Sequence, residues 1–249
     1  MVSFLGGTAN VRIPGVAVYS RLSKLNLDDE IAKFAKRQTI QKEITYFRSK
    51  IADLKSVDDF IKNPRLLNFA LSAYGMESQA EYPARIKQVL MSDPADRYSV
   101  AQRMADERYR AIAVDFDFFN GGIAKFSNPA FMNFLESGYI TAEYERDLGN
   151  LNPSLSDAMY FRRTIGNLNT TQQLYGDNVL FDVVKEGLSI PNAAVSASVE
   201  QLTKRIEAGF DITQAKDAAY VDKFINRYLA LKDSKAQQES SNLLLGLFA

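Results

Sequence analysis

Residues 46–60, YFRSKIADLKSVDDF, return at residues 160–174 as YFRRTIGNLNTTQQL. Tyr46, Phe47 and Arg48 match Tyr160, Phe161 and Arg162, while Ile51 matches Ile165, Leu54 matches Leu168 and Ser56 matches Thr170. Phe60, Leu66 and Leu67 align with Leu174, Leu180 and Phe181 at the same offset of 114 residues. After a two-residue contraction Gly75 aligns with Gly187, and Asp106 and Tyr109 align with Asp217 and Tyr220 at an offset of 111. The kept positions are apolar, capping or chain-stopping, whereas exposed charge drifts: Asp58 and Asp59 become Gln172 and Gln173. Packing and chain reversal constrain a retained fold unit in that way, whereas an active site would retain polar groups. Two copies are too few for a solenoid. The expectation is an all-α chain, two diverged copies of a multi-helix unit packed as a pseudo-symmetric helical body.

The spacing inside the units is helical. Ile40, Ile44, Phe47, Ile51 and Leu54 recur at intervals of four and three, an apolar seam near the coiled-coil period. It predicts one long helix from about Asp28 to Leu54, opened by the acidic pair Asp28 and Asp29. The seam faces the core or a second chain; the spacing admits both. Ser56 with Asp59 resembles a capping box, and Asn63-Pro64 breaks the short helix that follows. The next helix, Arg65 to Tyr74, ends at Gly75. Further helices are expected near 80–91, 99–105, 106–116 and 130–147, with joints at Gly121-Gly122, Asn128-Pro129 and Asn152-Pro153. Strand alternation is nearly absent. The organisation read from this is a flexible arm over 1–27, a first helical repeat over 28–120, a connecting region over 121–153, a second repeat over 154–231, and a polar tether with an apolar tip over 232–249.

Composition excludes several chemistries. With no Cys and no His, the chain has no disulfide, no thiolate or imidazole metal ligand, and no Ser-His-Asp or Cys-His centre. Lys plus Arg and Asp plus Glu both number 30, so there is no basic excess to release counterions from a nucleic acid. No run of about 18 apolar residues predicts a membrane span, and the N-terminal residues lack the pattern of a secretory signal peptide.

Local motifs read as structure. Asp115 and Asp117 in DFDFFNGG match two positions of a calcium loop, but Asn120 stands where its Gly belongs and Phe126 where its Glu belongs. Gly6-Gly7-Thr8 is too short for a phosphate loop. Asn169-Thr170-Thr171 fits a glycan acceptor and, better, a helix cap. Asp106 and Arg110 are spaced for an i, i+4 pair, with Tyr109 on the inner face. Glu143 and Glu145 read as a solvated helix face. Leu243, Leu244, Leu245, Leu247 and Phe248 form an apolar tip that is costly to leave in water, at roughly 1.5–3 kcal/mol for each side chain. The tip either folds back on this chain or inserts into a neighbour, and its five residues are the candidate partner contacts.

The run YFRSKIADLKSVDDFIKNPRLLNFALSAYG followed by DERYRAIAVDFDF resembles a bacterial family catalogued as domain of unknown function 1217, and AMYFRRTIGNLN onward is similar to that family's second half. The resemblance spans roughly residues 30–231, and residues 116–120 depart slightly from the expected Phe-Asn-Phe. It implies an alphaproteobacterial protein whose gene lies among flagellar genes. It supplies no catalytic residue and no cofactor. The expected function is a non-enzymatic structural or assembly component of the bacterial flagellum, in contact with rod, hook or filament proteins or with itself, and exported without a cleaved signal peptide. The alternative is a cytoplasmic export chaperone or regulatory binding module.

Overall fold

The chain, as a computed structural model, is described over residues 13–195 and 198–247. Every regular element among the described residues is helical, in agreement with the all-α expectation. In chain order the helices are α1 (Gly15–Leu22), α2 (Leu27–Ala35), α3 (Gln38–Ala52), α4 (Val57–Ile61), α5 (Pro64–Ser72), α6 (Pro83–Leu90), α7 (Val100–Arg103), α8 (Glu107–Phe116), α9 (Phe118–Gly121), α10 (Pro129–Leu151), α11 (Pro153–Thr164), α12 (Asn178–Gly187), α13 (Asn192–Val195), α14 (Val199–Glu207) and α15 (Ala218–Leu247). Short 3₁₀ turns join several of them.

The starts follow from local chemistry. Asn63, Asn128 and Asn152 each precede a proline and accept hydrogen bonds from the first free backbone N–H groups of α5, α10 and α11. The proline sits where its missing N–H costs nothing, and the asparagine satisfies the donors that a helix start leaves open. At Thr170 and Gln173 a reciprocal capping box forms, so the Asn169-Thr170-Thr171 stretch caps a 3₁₀ turn.

The expected long helix over 28–54 is two helices, α2 and α3, separated at Lys36–Arg37. Arg37 takes an extended conformation at φ −61°, ψ 137°. Its guanidinium lies over Phe34 and pairs with Asp147 at 2.9 Å. The break lets Phe34 pack edge-on to Tyr144 while Ile40, Ile44 and Phe47 turn into the core. Within the span read as an arm, residues 15–22 form α1, with Tyr19 fully buried. Residues 232–242, read as a tether, continue α15.

Two long helices organise the packing. α5 and α11 lie on α10, and α1, α11 and α12 lie on α15. Phe69 is sandwiched between Phe47 and Tyr139, each ring 4.0 Å away and nearly parallel. Phe161, Phe210 and Phe224 cluster under α15. A third aromatic group, Phe60, Phe116, Phe118, Phe126 and Phe131, fills the space beneath α8 and α9. Gly138 on α10 permits the closest crossing, because a Cβ there would stand 2.5 Å from the Cα of Ala73.

Candidate functional site

The most heavily bonded polar centre is built around Arg108, at the second position of α8. Its Nη1 donates to the Tyr160 hydroxyl at 2.6 Å and to the Gly75 carbonyl at 3.0 Å, and pairs with Asp177 Oδ2 at 3.0 Å. Nε and Nη2 grip Asp106, the cap of its own helix, at 3.0 and 2.8 Å. Tyr160 in turn donates to Asp177 at 2.6 Å, while the other oxygen of Asp177 caps α12. Burial opposes the charge of the guanidinium, but the carboxylates of Asp106 and Asp177 outweigh it and hold Arg108 cationic. The expected Asp106–Arg110 pair does not form, because Asp106 turns to the residue two positions on. Tyr109 is buried, as its inner-face position predicts.

Matched residues stand in matched relations. Asn63 caps α5 and donates to the Tyr46 hydroxyl at 3.3 Å; Asp177 caps α12 and accepts from the Tyr160 hydroxyl. Arg48 grips Glu136 on α10 through two bonds of 2.6 Å; Arg162 donates to Asp222 on α15 at 2.8 Å. Ala73 packs against Gly138 on α10; Gly187 packs against Phe224 on α15. The left-handed residue that ends α5 is Gly75 at φ +65°, and the one that follows α12 is Ser189 at φ +55°, not Gly187. In both places the next residue, Met76 or Ile190, closes a bond to the carbonyl five residues back. Gly75 and Ser189 stand 114 residues apart, the offset of the sequence match.

Three surface clefts bear on function. The first, about 410 Å³, opens between α2, α10 and α11, with Leu27, Ile31, Tyr144 and Met159 around Glu145, Arg162 and Arg163. Glu145 is not on a solvated face. It is 6% exposed and both its oxygens accept from Arg163, at 2.7 and 3.0 Å. Burial pushes its carboxyl above the usual range although Arg163 pulls the other way. A carboxylate clamped by one guanidinium at both oxygens is firmly oriented, and the nearby Glu77 adds to the upward push on its carboxyl. The second cleft, about 240 Å³, lies against the Arg108 centre. The third, about 520 Å³, is walled by α3, the 3₁₀ turn Gly122–Ser127 and the start of α10. Ile51, Leu54, Ile123, Phe126 and Met132 line it together with the Arg48–Glu136 pair.

A sequence family described as "Protein of unknown function (DUF1217)" matches residues 73–221. The chain belongs to this family. A search of curated proteins found no match. Among solved structures, the X-ray crystal structure of a protein from Agrobacterium tumefaciens, a structural-genomics target, is similar at a TM-score of 0.72 and 26% identity, over 89% of this chain and 95% of that one.

The DUF1217 match takes in the whole Arg108 centre, while α3 and most of α15 lie outside it. Asp115 and Asp117 are occupied locally, Asp115 accepting from the Tyr74 hydroxyl at 3.0 Å and Asp117 from Asn120 at 2.6 Å. Among the described residues no three acidic side chains gather as a metal site, and no helix is long and apolar enough to cross a membrane. Of the candidate contact residues, Leu243, Leu244, Leu245 and Leu247 continue the helix α15, their side chains lying outside the description, and Phe248 lies outside the described residues. From Gln237 to Asn242 every residue of that helix is exposed.

Proposed function

We propose that this DUF1217 protein is a non-enzymatic structural or assembly component of the bacterial flagellum that acts through helical protein contacts. The observation that carries this reading is the end of α15. The helix is 30 residues long, about 45 Å. Its last ion pair with the body is Lys235–Glu186 at 2.6 Å, after which residues 237–242 touch solvent all round. In the sequence the apolar run Leu243, Leu244, Leu245, Leu247 and Phe248 follows directly on this exposed stretch. An apolar run that follows an exposed helix is suited to a contact with another chain. The flagellar setting and the alphaproteobacterial origin come from the family resemblance, and the route of export without a cleaved signal belongs to the same proposal.

We infer in addition that the body consists of two diverged copies. The matched capping bonds at Asn63 and Asp177, the matched stops at Gly75 and Ser189, and the matched pairs Arg48–Glu136 and Arg162–Asp222 support it. In this reading α10 does for α3 and α5 what α15 does for α11 and α12, at an offset of 86 from Glu136 to Asp222 and from Gly138 to Phe224. The segment holding α8 and α9 is then extra to the first copy, which sets aside the match of Asp106 and Tyr109 with Asp217 and Tyr220, and Arg108 on it ties the copies together.

The test is a blot of purified hook–basal bodies and filaments beside the cytosolic fraction, for the full chain and for a chain ending at Ser241. The full chain is expected in the washed organelle and the truncation in the cytosol, with unchanged helix content. Full-length protein confined to the cytosol with one soluble client overturns the structural role in favour of the chaperone or regulator.

A further inference from the structure

The helix α1 does not cap its own start. Its N-cap residue is Pro14, which offers no side-chain oxygen to the free N–H groups of the first turn. The cap comes from α15 instead. One carboxylate oxygen of Asp233 accepts from the Gly15 N–H at 2.9 Å and the other from the Val16 N–H at 3.1 Å. We propose that α1 is a reversible strap, helical only while docked, and that the face of α15 and α11 beneath it is a docking groove for a short, uncapped helix, filled here by the chain's own α1.

An eight-residue helix is well short of the roughly 12–15 residues below which a free helix is marginal in water. α1 has no acidic residue in its first turn to offset the dipole. Its helicity therefore depends on a carboxylate 218 residues away in the chain.

The socket is specific. α1 packs on α15 and α11. Tyr19 is fully buried, and its hydroxyl donates to Asp222 Oδ1 at 2.6 Å. Asp222 and Asp233 are 11 residues apart, about three turns, and so share one face of α15. Asn152, the cap of α11, donates to Asp233 Oδ1 at 3.1 Å and to the Ile13 carbonyl at 3.0 Å. It thus steadies both the carboxylate and the chain entering α1. On either side of the strap the chain is loosely seated: Ile13 and Leu25 are each about half exposed.

The pairing of α10 with α15, which rests on the two-copy reading, accounts for the socket. At the offset of 86, Asp222 and Asp233 match Glu136 and Asp147. On α10 both carboxylates are taken by arginines of the same copy, Glu136 by Arg48 and Asp147 by Arg37. On α15, Arg162 takes Asp222 as Arg48 takes Glu136. Leu151, however, stands 114 residues after Arg37, in its place. Asp233 is left to the amides of α1, and a strap from the N-terminal side completes the second copy.

The experiment uses the full chain and reads amide hydrogen exchange by mass spectrometry. Residues 15–22 are expected to exchange through a local opening, at least about tenfold faster than α10 and α11. Asp233→Ala removes a charged cap and should speed α1 by about a further tenfold, with α10 and α12 unchanged. As a second measurement, a fluorescent peptide of residues 13–24 is titrated into the protein. Wild type, whose groove is full, should bind it weakly. Tyr19→Ala weakens the resident strap and leaves the groove intact, so it should bind the peptide at least about tenfold more tightly. Asp233→Ala added to Tyr19→Ala should remove that gain. If Tyr19→Ala loses helix content by circular dichroism beyond α1, Gly15→Ala replaces it, because its Cβ would stand 3.1 Å from Leu229 and 3.3 Å from Asn152. Exchange in α1 as slow as in α10 and α11, an Asp233→Ala chain whose helices all exchange faster alike, or a peptide that binds the weakened variant no better than wild type overturns the proposal. None of these outcomes touches the flagellar assignment, which the organelle blot tests by itself.

Discussion

Arg108 donates to the Tyr160 hydroxyl across 2.6 Å, joining the start of α8 to the middle of α11. The same guanidinium nitrogen holds the carbonyl of Gly75, the residue that stops α5, and faces the carboxylate that caps α12. One side chain thus secures two helix termini and the face of a third helix. Arg108→Ala leaves Asp177 and Asp106 without their cation in a largely buried setting, and should cost about 3 kcal/mol in urea unfolding. Tyr160→Phe leaves the Arg108–Asp177 pair in place and should cost about 1 kcal/mol. A loss for Tyr160→Phe equal to that for Arg108→Ala would mean that the hydroxyl, and not the guanidinium, holds the centre.

Gly75 and Ser189 occupy the same left-handed position after α5 and α12, but only one of them is glycine. Ser189 carries a Cβ in a conformation that disfavours it by about 1–2 kcal/mol. Ser189→Gly should therefore stabilise the protein by about 1 kcal/mol, less the added freedom of the unfolded chain. Gly75→Ala should do the opposite, and by about 2–3 kcal/mol, because its Cβ would also run into the Tyr160 ring. Thermal melts of the two variants check both signs.

These two positions also show what the sequence discloses. Asn63-Pro64, Asn128-Pro129 and Asn152-Pro153 announce helix starts because cap and proline act within a few residues. The 46–60 and 160–174 match is legible because Tyr, Phe and Arg recur in the same order at one fixed offset. Ser189 gives no such signal: serine rarely stands left-handed, and Gly187 two residues earlier imitates a stop while serving instead as the seat for Phe224. The break at Lys36–Arg37 is equally hidden, since it has no Gly or Pro and depends on Asp147, 110 residues away. Glu145 reads as solvated for the same reason, its partner Arg163 lying on the next helix. In the cleft walled by α3 and α10, Ile51 and Leu54 were visible as a seam, but Ile123 and Met132 reach it only through the tertiary fold.

Gly138 is where α10 meets the end of α5, and its missing side chain sets their separation. Gly138→Ala gains helix propensity worth about 1 kcal/mol. Against that, the new methyl meets the backbone of Ala73, which cannot rotate away, and overpacking of this kind costs about 1–3 kcal/mol. The net effect should be destabilising, and Ala73→Gly in the same chain should restore part of the loss. Unchanged stability in Gly138→Ala would show that the two helices part freely.

Asp222 links α1 to the body, accepting from the Tyr19 hydroxyl at 2.6 Å and from Arg162 at 2.8 Å. Burial works to raise its carboxyl, yet the Arg162 and Tyr19 bonds prevail and hold it below the usual carboxylate range. A carboxylate depressed in the folded state binds protons more tightly when unfolded, so its stabilisation is complete above the unfolded value near 3.9 and fades as the pH falls through the lower folded value. Asp222→Asn should lose about 2 kcal/mol at neutral pH, through weaker bonds to Arg162 and Tyr19. The gap between wild type and variant should stay constant from about pH 7 to pH 5 and narrow only below about pH 4. Because Tyr19 is the buried anchor of α1, trypsin cleavage at Arg21 and Lys24 should quicken in Asp222→Asn at neutral pH. A stability gap that narrows already between pH 7 and pH 5 would place the titrating group elsewhere.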